Sequence, residues 1–321
     1  MPSAIVSQSC PDGSPNPPRS DRMARMRNAG LESFFQPGPV GDHMYSNVRD
    51  YPHLAEARRF VEDLWPEYKH LADMHFLADA RNHFLQRFWE MYLGVALVRR
   101  GFNLRKAGEA GPEFYFQSER GRVWIEAVAP QPGVGPDAVL QPQLGEVSSV
   151  PQERVLLRLT HALSEKLKKY NEAFNKGILK AWECYIVALN SRAIPHASHG
   201  SVLPYYLMAY LPIGHPELRI DKQSQRVVDS YFQYRSHVTK RNDEPVCTEA
   251  FLRPEYVGIS GVLHSSAYAT EGSLEMGGDF TFLHNPLATS PLSTSTFPFW
   301  RQYLFRDYAL QTLEPKPSVG A

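Results

Sequence analysis

The sequence predicts an α/β fold, a central mixed sheet flanked by helices, with a C-terminal β-rich extension. Three observations carry this. Composition is ordinary for a globular chain of 321 residues, at 43% hydrophobic and 21% charged. Residues 79–190 read in the order helix, strand, strand hairpin, helix, strand. Beyond about residue 200 the pattern changes to short strands between turn residues.

Residues 1–42 are rich in Pro, Ser, Gly and Arg and read as a disordered leader, too poor in apolar residues to offset its ordering entropy. Met23 and Met44 are alternative starts. N-terminal helices are expected over 43–78, with one at 52–64 interrupted near Pro66. The next helix, 79–100, is apolar almost all round at Phe88-Trp89-Glu90-Met91-Tyr92-Leu93 and should be buried on all sides, with Gly101 as its stop. Phe102–Arg105, Glu113–Ser118 and Val123–Val128 read as strands, the last two joined through Gly121. Residues 130–148 form a long Pro- and Gly-bearing loop. Ser149, Pro151 and Gln152 suggest a capped helix start, and that helix runs to about Phe174. Tyr185–Leu189 is a buried strand and completes a core spanning 79–195. The extension, 196–313, should hold a helix at Val202–Leu211, hairpin strands at Leu218–Ile220 and Arg226–His237, strands at Val257–His264 and Asp279–His284, and a closing helix over Phe299–Leu310.

Lys+Arg and Asp+Glu both number 34, so the formal net charge is zero. That excludes nucleic-acid binding by bulk charge but leaves room for a local basic groove. Cys10, Cys184 and Cys247 are far apart and odd in number. They offer neither a disulfide framework nor a CxxC zinc pair, and a reducing compartment is expected. No run of about 18 apolar residues exists to span a membrane, and the N-terminus has no apolar signal core, so a cytoplasmic protein is expected.

Glu126 is the most informative residue. In Trp124-Ile125-Glu126-Ala127-Val128 both faces of the strand are otherwise apolar, so an ionisable group is carried into a buried strand. A buried carboxylate without a partner costs several kcal/mol or loses its charge, and a divalent cation is one reason to keep it. Glu113 follows Gly111-Pro112 at the start of the preceding strand, and Glu90 sits in the buried helix upstream, where an ion pair with Arg87, Arg99 or Arg100 is the competing expectation.

Pro112-Glu113, then Glu126-Ala127-Val128, with Glu90 before them, resembles the PD-(D/E)XK nuclease superfamily of restriction-endonuclease-like fold. Its hallmark is Pro-Asp on one strand and Glu-x-Lys on the next, after a helix that often supplies another Glu. The wider stretch FWEMYLGVALVRRGF, GPEF, WIEAVAP and GPDAV, with the later FLHNPLA, is similar to an uncharacterised bacterial family of that superfamily over roughly 80–290. The resemblance implies Mg²⁺ or Mn²⁺ held by Glu113 and Glu126, with Glu90 as an outer or third group, and DNA or RNA as partner. Two departures stand out. Glu113 replaces the aspartate, and Val128 replaces the lysine.

In some members of the superfamily the lysine migrates to the following helix. With Val155 set at zero and 100° per residue, Lys166 falls at about 20°, inside an apolar arc centred near ~60°. Lys166 is therefore the expected catalytic lysine, unless it snorkels along the helix flank. Arg158 and Lys169 flank it as candidate phosphate-binding residues. Residues 153–180 hold seven Lys and Arg against three Glu, consistent with a basic rim or a solvated face. The expected chemistry is metal-assisted phosphodiester hydrolysis. The competing expectation is a catalytically inactive nuclease fold kept as a nucleic-acid- or protein-binding module, favoured by Val128. A third centres on the aromatics of the extension, among them Tyr205, Tyr231, Phe232 and Tyr234. His196-Ala-Ser-His199 has metal-ligand spacing in a loop context. His264 and His284 each close an expected strand, either converging or standing as core or turn residues without function, and Asp137 can line the site. No nucleophile–His–Asp arrangement has supporting context, and Cys184 reads as an inert core residue.

Overall fold

The computed structural model describes residues 33–108, 111–143, 145–147, 149–198, 203–271 and 275–316. The chain is mixed α/β, built on an eight-stranded mixed sheet. The helices are α1 (His43–Asp50), α2 (Ala55–Tyr68), α3 (Phe76–Ala80), α4 (Phe84–Arg99), α5 (Gln152–Asn175) and α6 (Tyr205–Tyr210). The sheet begins with β1 (Arg105–Lys106), β2 (Phe114–Ser118), β3 (Gly121–Val128) and β4 (Cys184–Asn190). Two ribbons stand outside it, β5 (Ile213–Ile220) with β6 (Val227–Tyr234), and β7 (His237–Thr239) with β8 (Pro245–Cys247). The sheet resumes with β9 (Gly261–Ser265), β10 (Thr281–His284), β11 (Arg301–Arg306) and β12 (Ala309–Leu313).

The order across the sheet is β1-β2-β3-β4-β9-β10-β11-β12. β1, β2 and β3 form an antiparallel meander, β3, β4 and β9 run parallel, and α5 makes the crossover between β3 and β4. Alternate side chains of each central strand serve different cores. Val123, Ile125 and Ala127 with Ile186 and Ala188 pack against α2 and α4. Trp124, Tyr185, Val187 and Leu189 pack against α5 and α6. This places Glu126 on the α5 side.

The expected boundary between core and extension does not appear in the sheet. Strands of 261–313 continue it edge to edge through the β4–β9 pair, so the C-terminal part completes the sheet rather than packing on it. The expected helix over Phe299–Leu310 is instead the β11–β12 hairpin, whose turn residues Asp307 and Tyr308 both have positive φ. Phe-, Tyr- and Trp-rich runs of this length suit either period, and parallel pairing with β10 decided between them.

Three further expectations are corrected. The leader was expected to reach residue 42, but Phe34 and Phe35 are buried among aromatic side chains, and Asp42 caps α1 while accepting from Phe84 N at the start of α4. Residues 1–32 lie outside the described residues. Pro66 does not interrupt α2; the helix carries on to Tyr68, because Trp65 and Tyr68 both pack on Phe76. No capping box opens α5: Pro151 is the cap residue and no side chain closes it, while Gln152 turns toward Met208.

Candidate active site

β3 outruns its neighbour β2, and this creates the site. Phe114 pairs with Ile125, so the register carried one step further sets Glu113 opposite Glu126, and a second step sets Pro112 opposite Ala127. Proline has no N–H to continue a ladder. The free backbone groups of β3 are taken by side chains instead. Glu113 Oε2 accepts from Ala127 N at 3.1 Å, Gln86 Oε1 accepts from Ala129 N at 2.7 Å, and Gln86 Nε2 donates to Ala127 O at 3.4 Å.

Glu126 is almost fully buried and projects toward α5. Lys166 is buried beneath that helix, and its ammonium donates to Glu126 Oε1 at 2.5 Å. Lys169, one turn on and more exposed, donates to the same oxygen at 2.9 Å. Burial pushes the Glu126 carboxyl up, but the two ammonium groups outweigh it and hold it below the usual carboxylate range. Burial likewise works against the Lys169 ammonium, and Glu126 more than compensates, so its pKa is raised.

Glu113 behaves oppositely. As a residue it is half-buried, but its carboxyl turns inward, bonded to Ala127 N and beside the Glu126 charge. Burial first, then the charges of Glu126 and Glu90, push it well above the carboxylate range. Two adjacent carboxyls are thus driven in opposite directions, the kind of separation by which acid and base roles are assigned in active sites.

Glu90 belongs to a different network. Its oxygens accept from Gln86 Nε2 at 2.8 Å and Arg87 Nη1 at 2.7 Å, and Arg87 also bonds Asp73 and Asp79. Burial raises the Glu90 carboxyl, with Arg87 pulling it down. Both oxygens are already satisfied, so Glu90 sits as an ion pair beside the cluster.

The remaining candidates disperse. Arg158 is half-buried and donates to Gln131 O at 3.0 Å, its guanidinium packed under Gly133, so it braces the 131–133 loop. Asp137 accepts from Arg241 N, away from the carboxylates. His264 and His284 do not converge, because the β9–β10 register pairs His264 with Thr281 and His284 with Gly261. His264 stacks on Tyr206, bonds Ser191 at 2.9 Å, and is driven by burial down to about 3. A neutral imidazole of such low basicity against a fully buried serine is a core contact, not a nucleophile and its base. His199 lies outside the described residues.

A cleft of about 590 Å³ opens on the cluster, lined by Glu90, Glu113, Lys166, Lys169, Arg87 and Gln131 among others. Asp42, Asn82, Leu85 and Gln131 also line a neighbouring cleft of about 750 Å³ reaching Arg192 and His196. A smaller one of about 250 Å³ meets Glu126 and Lys169 from the other side.

Glu113 and Glu126 are the two carboxylates available to a hard divalent cation, with Glu126 Oε1 already accepting from Lys166 and Lys169. Glu113 and Glu126 adjoin, and the crowding of their charges is what a cation relieves. Among the described residues no three His, Cys, Asp or Glu side chains come together as a ligand set, so further ligands would have to be water, backbone or substrate oxygens. Of the three arginines expected as ion-pair partners of Glu90, Arg87 is the one that bonds it. Sequence reasoning missed Gln86, whose signal was helical spacing, four residues before Glu90 on one face. No family model, curated protein or solved structure matches this chain. Among the described residues no helix is long and apolar enough to cross a membrane.

Proposed function

We propose that the chain is a metal-dependent nuclease with a restriction-endonuclease-like core, hydrolysing phosphodiester bonds in DNA or RNA. One observation carries this reading: Glu126 of β3 bonds Lys166 from the following helix, and Glu113, just ahead of β2, lies beside Glu126 and lines an open cleft together with Lys166. The helix, meander, helix, strand order around them agrees with the fold class that the sequence resembles. Lys166 supplies the cation that Val128 does not.

Glu113 and Glu126 would hold Mg²⁺ or Mn²⁺, which when bound lowers the pKa of water and offsets charge on the phosphate. Lys166 keeps Glu126 ionised and places an ammonium where phosphate charge develops. Lys169, nearer solvent, draws a phosphate toward the cleft. Gln86 and Arg87 fix the end of β3 and the Glu90 side chain, so the carboxylates keep their positions.

A second reading has its own observation. Glu126 Oε1 is shared by two ammonium groups, which also satisfies a buried carboxylate structurally, as in an inactive nucleic-acid-binding module. The test is calorimetric titration with Mn²⁺, paired with cleavage assays on single- and double-stranded DNA and RNA. Wild type should bind Mn²⁺ and cleave at least one substrate, and Glu126→Ala should abolish both. Salt-sensitive gel shifts without cleavage would transfer support to the binding module. Unchanged Mn²⁺ binding by Glu126→Ala would place any metal elsewhere.

A further inference from the structure

The β5–β6 ribbon projects from the body, and beyond its root at Ile213 and Gly214 its side chains are exposed, Glu217 alone being half-buried. Its register divides it into two unlike faces. Pro216 pairs with Phe232, Leu218 with Ser230, and Ile220 with Val227, the shift before the last pair leaving Val228 as the bulged residue. Directly paired residues share a face. One face therefore carries Pro216, Leu218, Ile220, Val227, Ser230 and Phe232, without a charge. The other carries Glu217, Arg219, Asp229, Tyr231 and Gln233, joined across the strands by Gln233 and Glu217.

An isolated two-stranded ribbon is marginal in water, and an uncovered apolar face makes it more so. Leu218 is 62% exposed, Tyr234 64% and Tyr308 77%. At the ribbon's root, Phe232, Tyr234, Phe305 and Tyr308 line a cavity of about 500 Å³. With about 150–250 Å² for a whole aromatic side chain, the apolar face and its root expose on the order of 800 Å². That is about what one partner contributes to an interface of standard size, ~800 Å².

From this geometry we infer that the ribbon is a dimerisation arm, and that its apolar face is covered by the same face of a second copy of this chain. A two-fold contact requires a surface that tolerates its own image. An uncharged face does so without taking charge out of water, whereas the opposite face would have to desolvate Glu217, Arg219 and Asp229. The two areas together reach the size of a stable interface, and the cavity at each root can receive the partner arm's aliphatic tip. The inference is independent of the nuclease reading.

Sedimentation velocity of the full chain from 1 to about 100 μM tests it at the micromolar affinities of modest interfaces. Wild type should move from one to two chain masses across this range. Leu218→Asp combined with Val227→Asp, and separately Ser230→Lys, should weaken association by about 100-fold or more. Both should melt as wild type does at concentrations where wild type is monomeric, since these side chains touch no core. Arg219→Ala with Gln233→Ala, on the polar face, should dimerise as wild type does. Wild type monomeric throughout, arm variants still dimeric, or a polar-face variant that folds but dissociates would each overturn the inference.

Discussion

Lys166→Met is expected to lower stability by about 3–5 kcal/mol at neutral pH, the usual cost of stripping one partner from a buried ion pair. Phosphodiester cleavage should fall by about 10²-fold or more, as when a contact made in the transition state is lost. The Lys166 and Glu126 side chains are 9% and 3% exposed, so little water screens the pair. Lys169 remains on Glu126 but is more exposed, and it recovers only part of the loss. The combined variant Lys166→Met with Glu126→Gln should be less destabilised than the two changes added together, because no unpaired charge is left behind. The pH dependence has a definite sign. The Glu126 carboxyl is depressed in the folded chain, so its contribution is full above the ordinary carboxylate range and lost as pH falls through the folded value. The gap between wild type and Lys166→Met should therefore close on acidification, as read by thermal melts from pH 3 to 8. Equal melts at neutral pH would show that the pair does not stabilise the fold. Unchanged cleavage would remove Lys166 from the chemistry.

Glu113→Gln is expected to move stability and activity in opposite directions. The Glu113 carboxyl is raised by burial and by the charges of Glu126 and Glu90. A raised carboxyl contributes stability that is full below its ordinary pKa and lost as pH rises through the folded value. Glutamine carries no charge and still offers an oxygen to Ala127 N. The variant should lack that loss and be more stable than wild type from about pH 5 upward, by about 0.5–2 kcal/mol, the scale of gains when a strained functional site is relaxed. Mn²⁺ binding should be lost with it, and cleavage should fall by about 10²-fold or more. A variant less stable than wild type at neutral pH would mean that Glu113 stabilises the fold as an ordinary buried hydrogen-bonding group. Retained Mn²⁺ binding would remove it from the ligand pair.

The site was more legible in the sequence than the fold around it. Glu126 between apolar neighbours on both faces of a strand, and Lys166 inside the apolar arc of a helix, were each anomalous where they stood, and the structure sets them 2.5 Å apart. Each anomaly could be read because the periods of strand and helix say which face a residue occupies. Glu90 was legible as half of an ion pair, with Arg87 among three candidate arginines, but the choice among the three was not, and neither was the partner of Arg158. Whether a charged group reaches a cleft, a neighbouring Arg or a loop carbonyl depends on where a second element lies, and no period encodes that.

Local sequence determined most elements from helix α4 to strand β4, including the stop at Gly101, whose φ of 88° suits glycine. It also determined which residues of β3 face each layer, since alternation on a strand depends only on backbone geometry. Tertiary structure alone decided three things. It made 299–313 a hairpin, because β10 offered an edge for β11 to pair with. It carried α2 through Pro66, because burying Trp65 and Tyr68 against Phe76 outweighs one missing helical hydrogen bond. And it joined 261–313 to β4 in one sheet, because strand pairing is a long-range contact whose partner is chosen by packing and not by the residues of the strand itself.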